Sequence, residues 1–260
     1  MDKNQQQAAS KLLLDSWQAG TTIIELATTF RPNSRADAYA IQALLENTAD
    51  QPLTGWKIAA TSLAGQAHIG IDGPIAGRLL AERQISSERF TSLATNRMRV
   101  AEAEFAFKMA HELPPRETPY TMEEVLAAVG AMHISIELPD SRYEDFATVG
   151  VEQLIADNAC AHEYYIGPEC ENWREVDLSN HSVTGRTGSL TKGGSGANVL
   201  GDPRIALTWL VNELSQLGIP LKAGQIVMTG TSTDPVPIEP GDEFTADFGQ
   251  FGQISIRFSD

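Results

Sequence analysis

The chain is poor in cysteine and in positive charge. Two cysteines in 260 residues, Cys160 and Cys170, cannot build a disulfide framework. No Cys-x-x-Cys or Cys/His cluster suggests zinc. Basic residues number 19 against 34 acidic ones, a formal net charge of −15. Such a surface repels phosphate backbones and anionic lipid, so neither nucleic acid nor membrane is an expected partner. No apolar run approaches the roughly 18 residues that span a bilayer. Met1 to Gln7 is polar, without an apolar signal core. A cytoplasmic protein is therefore expected.

Several common catalytic signatures are missing as well. Gly194-Ser195-Gly196 starts a dinucleotide fingerprint, but its third glycine would fall on Val199. The same stretch starts a nucleophile elbow that ends on Ala197 instead of glycine. There is no Gly-Lys-Ser/Thr phosphate loop. His68, His111, His133, His162 and His181 show no His-Glu-x-x-His spacing. Internal repeats are absent.

What remains is an ordinary globular composition, 42% hydrophobic and 20% charged, long enough for a large core. Residues 1–50 read as a helical section. Leu12, Leu13 and Trp17, then Ile23, Ile24 and Ala27, recur at helical intervals. Ser34 can cap a second helix carrying Tyr39, Ile41, Leu44 and Leu45. Residues 51–260 have a different texture, with short apolar runs between Gly/Pro turns. Strands are expected over 97–108, 131–138, 225–229, 243–248 and 253–258. Thr121-Met122-Glu123-Glu124 is a capping box opening a helix to about Val129. A second, amphipathic helix is expected over 203–217. The strands cluster instead of alternating with long helices, so the class is α+β and not a doubly wound nucleotide fold.

Glu102 and Glu104 are the chemically informative pair. Residues two apart in a strand share a face, which places both carboxylates beside Met98, Val100 and Ala106. Arg97 and Arg99 should face the other way. Two carboxylates on a largely apolar face need a positive partner if buried. They suit a hard divalent cation; alternatively, the strand is an edge with a wet glutamate face. Glu137 lies 33 residues beyond Glu104, and alternation groups it with His133 and Ser135. If the two strands are neighbours, three carboxylates converge. Lys57 stands alone in the apolar run Gly55-Trp56-Lys57-Ile58. It is either a snorkelling lysine or a cation facing a substrate carboxylate or moving a proton. Asp72 is either a turn residue or a second proton-transfer group.

Together these segments resemble the fumarylacetoacetate hydrolase superfamily, in its hydratase/decarboxylase branch. The carrying motifs are Gly55-Trp56-Lys57-Ile58, Gly70-Ile71-Asp72-Gly73-Pro74 and Ala101-Glu102-Ala103-Glu104-Phe105. Further on come Ile136-Glu137-Leu138-Pro139-Asp140-Ser141-Arg142, Ala156-Asp157-Asn158-Ala159, the stretch from Gly194 to Pro203, and Thr229-Gly230-Thr231. The resemblance runs through nearly the whole chain. It implies a mixed β-roll core and a divalent cation, Mg²⁺ or Mn²⁺ with Ca²⁺ as a substitute in crystals, held by Glu102, Glu104 and Glu137. Lys57 and Asp72 are the implied catalytic groups. Ser62, Asp157, Cys160 and Thr231 are the implied substrate-binding positions.

The implied reaction adds water to 2-hydroxy-2,4-dienoates, giving 4-hydroxy-2-oxo acids in aromatic meta-cleavage degradation. The branch also contains decarboxylases of vinylogous 2-oxo diacids of the 4-oxalocrotonate type. An acylpyruvate-type C–C hydrolase is a third reading, with His162-Glu163 as its acid/base pair. Members are homo-oligomers as a rule, and some associate with a partner pathway enzyme. Cys160 departs from the family pattern, which often has a hydroxyl residue there. A thiol is the poorer hydrogen-bond donor.

Overall fold

The computed structural model describes residues 1–48, 51–86 and 88–260. The expected boundary at residues 50/51 touches Asp50, which lies outside those described. Six α-helices lie among the described residues: α1 (Lys3–Ala19), α2 (Arg35–Ala43), α3 (Leu63–His68), α4 (Met122–Ala127), α5 (Val151–Ala156) and α6 (Pro203–Gln216). The strands are β1 (Gly55–Ala59), β2 (Ile75–Leu79), β3 (Phe90–Ser92), β4 (Val100–Met109), β5 (Val129–Leu138) and β6 (Glu163–Glu169). They continue with β7 (Ser182–Thr187), β8 (Leu190–Ser195), β9 (Ile226–Thr231), β10 (Val236–Pro237), β11 (Glu243–Asp247) and β12 (Gln253–Ser259). The α+β class holds. No helix among the described residues is long and apolar enough to cross a membrane.

The N-terminal helices form where the residues dictate. Asp2 and Gln5 make a reciprocal capping box at the start of α1. Ala9, Leu13 and Trp17, four apart, are its buried stripe. Gly20, left-handed at φ 61°, ends the helix. The helical pattern expected to continue through Ile23 and Ala27 therefore does not form. Ile23 instead makes a parallel bridge to Tyr143, its N–H donating to the Arg142 carbonyl at 2.9 Å. Ser34 caps α2 as expected, accepting from the Asp37 N–H. Gln42, buried on α2, donates to the carbonyls of Ala76 at 2.9 Å and Ile155 at 2.8 Å, tying the helix to β2 and α5.

Two sheets make the body. The larger has the order β2-β1-β9-β4-β5-β6, with β10 added against β4. The smaller has the order β3-β12-β11-β7-β8, and its inner residues alternate as Phe244, Ala246, Ile254, Ile256 and Phe258. β4 lies in the middle of the larger sheet and separates two environments. Ala101, Ala103, Phe105 and Phe107 join the main core. There Phe105 meets Phe248 edge-on, with centroids 5.2 Å apart. The opposite face carries Glu102, Glu104 and Ala106.

The expected strand over 97–108 begins three residues late. Arg99 is left-handed at φ 46°, and Asn96 Oδ1 takes its N–H at 2.7 Å. Arg97 and Met98 give their N–H groups to Asp140 Oδ1 at 2.8 and 3.1 Å. A polar turn thus replaces the first three ladder positions, and the facing assigned to Arg97 and Arg99 by alternation does not apply. The helix expected to reach Val129 stops at Ala127, and Val129 already starts β5.

Candidate metal centre and cavity

Strand register assembles the carboxylates. Antiparallel β4 and β5 place Glu102 directly opposite Glu137, and Glu104 opposite Ser135. On the other side Glu104 faces Thr231 of β9, and Lys57 on β1 faces Met228 of the same strand. Four strands therefore bring Lys57, Glu102, Glu104 and Glu137 to one face. One carboxylate oxygen from each glutamate lies within 4.8 Å of the others. Lys57, Glu104 and Glu137 are buried, and Glu102 is half-buried.

Three facing carboxylates repel one another, and burial removes the water that would screen them. Burial and Glu137 push the Glu102 carboxyl up to about 7. Burial, then Glu137 and Glu102, hold Glu104 well above the usual carboxylate range. Burial also raises Glu137, against the pull of Lys57. Lys57 Nζ pairs with Glu137 Oε1 at 3.0 Å. Burial alone would lower this ammonium. Glu137, Glu102, Cys160 and Glu104 outweigh it and hold the ammonium above its ordinary value. The lowered lysine that acid/base work would need is not what these neighbours produce; they favour a charged group that binds.

Gly230 completes the cluster from the backbone. Its N–H donates to Glu104 Oε2 at 2.8 Å. At φ +103° the residue must be glycine, because a Cβ there would collide with the Thr61 side chain. Glu104 Oε1 and Glu137 Oε2 have no hydrogen-bond partner, and Glu137 Oε1 has only the Lys57 ammonium. Buried oxygens left so are costly, and one ammonium does not balance three carboxylates. An all-oxygen donor set with open positions fits a hard divalent cation.

The cluster opens onto a cavity of about 560 Å³. Lys57, Ser62, Glu102, Cys160 and Thr231 all line it. Ser62 also caps α3, accepting from the Gly65 N–H at 3.0 Å. Burial, with Asp157 nearby, pushes the Cys160 thiol up to about 12, so it faces the cavity neutral.

Two expected site residues are not brought there. Asp72 is exposed in the turn before β2 and does not line the cavity. Asp157 is buried and points to Arg142. It accepts from the Arg142 Nε, from the Arg142 N–H at 3.0 Å and from Ser141 Oγ at 2.7 Å. Asp157 also opens an unusual turn, in which Asn158, Ala159 and Cys160 are all left-handed, at φ 56°, 51° and 59°. Each such non-glycine residue costs on the order of 1–2 kcal/mol. Arg142 brackets the turn by donating to the carbonyls of Asp157 and Ala161. Asn158 clamps it to β2, accepting the Arg78 N–H at 2.6 Å and donating to the Arg78 carbonyl at 2.9 Å. Ala159 and Cys160 are thereby fixed as one cavity wall.

His162-Glu163 is not brought to the cavity either. His162 Nδ1 accepts from the Trp17 indole at 2.7 Å, and Glu163 accepts from Thr91 at 2.8 Å. Burial, with Arg142 and Arg83 nearby, pushes the imidazole down to about 3. The unfolded chain would take up that proton near pH 6.5. Stability is therefore expected to fall as pH drops from about 6.5 towards 3, by up to about 1.4 kcal/mol per pH unit from this residue. His162→Gln keeps an acceptor for Trp17 and should flatten that part of the slope. Urea unfolding of both proteins at pH 7 and pH 5 reads the difference; parallel slopes would remove His162 as the cause.

Sequence reasoning did not foresee the Gly230 donor or the cavity walls from α3 and Phe146. Thr229-Gly230-Thr231 was visible as a motif, but only the register of β9 against β4 shows which carboxylate the glycine serves.

The fumarylacetoacetate (FAA) hydrolase C-terminal family matches residues 65–259. The chain belongs to that family. This family member is 30% identical over 262 residues to a 2-keto-4-pentenoate hydratase of Paraburkholderia xenovorans (strain LB400), covering 99% of the chain and 96% of the relative. It is 31% identical over 227 residues to a 4-oxalocrotonate decarboxylase of Pseudomonas putida, covering 86% of the chain and 85% of the relative. Its fold matches the 4-oxalocrotonate decarboxylase from Pseudomonas putida G7, solved with magnesium and adipate, at a TM-score of 0.90 and 27% identity. That match covers 99% of this family member and 98% of the decarboxylase. The same decarboxylase has been solved with calcium and acetate.

Proposed function

We propose that the chain is a divalent-cation-dependent hydro-lyase that hydrates 2-hydroxy-2,4-dienoates to 4-hydroxy-2-oxo acids. The observation that carries this is the buried Glu102/Glu104/Glu137 cluster with Lys57, opening onto one cavity. Full-length similarity to the 2-keto-4-pentenoate hydratases supports the reaction class. Glu102, Glu104 and Glu137 would hold the cation, Mg²⁺ or Mn²⁺ by its oxygen ligands. Such an ion supplies Lewis-acid stabilisation of negative charge on the substrate's C1 and C2 oxygens.

The chain's own groups do the rest. The Lys57 ammonium, fixed by Glu137, is placed to hold the substrate carboxylate or C2 oxygen. Ser62 offers a hydroxyl donor along the cavity and Cys160 a weak neutral one, while the Thr231 hydroxyl already donates to the Thr233 carbonyl at 2.9 Å and offers its oxygen as an acceptor. In the overall reaction the dienol is ketonised with a proton going to C5, giving a conjugated 2-oxo-3-enoate, and water then adds across C3=C4, hydroxyl to C4 and proton to C3.

Lys57→Met is expected to cut kcat roughly a hundredfold while Mg²⁺ affinity changes only a few-fold. Steady-state kinetics beside calorimetric Mg²⁺ titration test this, and unchanged turnover refutes the role. The second reading, decarboxylation of a vinylogous diacid, rests on the structural match to 4-oxalocrotonate decarboxylase. Product analysis with Mg²⁺ separates them: hydration yields a 4-hydroxy-2-oxo acid, decarboxylation yields CO₂. The same reading extends to a cytoplasmic homo-oligomer able to associate with a partner pathway enzyme. Light scattering checks the oligomer.

A further inference from the structure

The cavity is large for the chemistry proposed. At about 560 Å³ it is in the range that encloses drug-sized ligands, whereas a five-carbon acid fills a small part of it. Its polarity is also uneven. Charge gathers at Lys57 and Glu102. Along β4, moving away from Glu104 on the same face, the wall passes from Glu102 to Val100, and Met98 continues it. Ile69, Phe146 and Leu154 also line the space. His68 stands at the exposed rim with its ring against Phe146, centroids 5.9 Å apart.

Among the described residues, Lys57 is the only lysine or arginine lining the cavity, and it is already paired with Glu137. Besides Glu102, the lining carries one further carboxylate, the exposed Asp234, which pairs with Lys192 at 3.8 Å. A second carboxylate at the far end of a substrate would meet apolar side chains or an acid. Burying an unpaired charge there is costly. Burying methylene groups there is favourable.

We infer that the apolar part of this cavity, to which Met98, Val100, Phe146 and Leu154 contribute, takes an alkyl or aryl tail. The substrate is then a tailed 2-hydroxydienoic monoacid and not a diacid. This rests on the hydratase reading for its head group, and it makes these apolar side chains the determinants of specificity.

The test uses binding, with saturated 2-oxo acids that cannot be hydrated. The full chain at saturating Mg²⁺ is titrated calorimetrically at pH 8 with 2-oxopentanoate, 2-oxohexanoate and 2-oxooctanoate. The matching diacids are 2-oxoadipate and 2-oxosuberate. Affinity for the monoacids is expected to rise about fourfold per methylene. Each diacid should bind at least tenfold more weakly than the monoacid of equal length. In Phe146→Arg, the diacid-to-monoacid preference should move at least tenfold towards the diacid.

Mg²⁺-dependent binding that is flat with chain length, or tighter for the wild-type diacid, overturns the tail assignment and leaves the head-group reading standing. An unmoved preference in Phe146→Arg overturns it too. Failure of every 2-oxo acid to bind in a Mg²⁺-dependent way overturns the hydratase reading and the inference together.

Discussion

Glu104→Gln should lower turnover about a thousandfold or more, roughly 4 kcal/mol of transition-state stabilisation. The change removes one charge and almost no volume. Gln can still accept the Gly230 N–H that Glu104 Oε2 takes at 2.8 Å. Glu104 is fully buried among two other carboxylates, and burial already disfavours its charged form. The folded state should therefore survive the substitution, with an unchanged or raised Tm. Mg²⁺ titration should show affinity lost with activity. Full activity in this variant, or in wild type with excess EDTA, would sink the metal-centre reading.

Asp157→Asn is expected to act on stability. The Arg142 guanidinium is buried and directed at Asp157, whose oxygens also take the Arg142 and Ser141 donors. Removing one partner strands a buried charge, which costs about 3–5 kcal/mol. For a chain of this length each kcal/mol moves Tm by roughly 2–4 °C, so a fall of about 10 °C is expected. Asp157→Asn combined with Arg142→Met should lose less than the sum of the single changes, because the stranded charge is gone. An unchanged Tm with a raised KM would return Asp157 to the substrate-binding role that the family resemblance gives it.

The two variants divide along a line only partly legible in the sequence. Strand alternation was enough to place Glu102 and Glu104 on one face, because the period of two depends on local geometry alone. Convergence with Glu137 needed the pairing of β4 with β5, and the sequence offered only the condition that these strands be neighbours. The register then put Glu102 directly opposite Glu137. Lys57 was legible as an oddity in an apolar run, but its charge state was not. Burial suggested a lowered lysine, and three glutamates from two other strands reverse the sign.

Asp157 and Asp72 show the opposite difficulty. Both lie in motif segments, yet Asp157 has an arginine partner 15 residues earlier across a turn, and Asp72 stays in solvent. Motif membership does not distinguish a residue that touches substrate from one that holds up the wall. The end of α1 at Gly20 was also visible, since the glycine interrupts the pattern. What was not visible is that Ile23 leaves the helix to pair with Tyr143, which lies more than a hundred positions away.

The left-handed turn at Asn158, Ala159 and Cys160 links these themes. Its conformation is unfavourable in isolation and persists because Arg142 and Arg78 grip it from outside the cavity. Neither arginine lines the cavity, yet the Arg142 side chain and the Arg78 backbone set where Ala159 and Cys160 stand beside Lys57. Variation at Arg142, or at Trp17 whose ring lies 4.5 Å from the Arg142 guanidinium carbon, would read in a comparison of natural sequences as drift in a remote structural region. In the working protein it would surface as altered substrate handling. The boundary of the candidate site, drawn by consequence and not by contact, would then run out through this turn to the N-terminal helix.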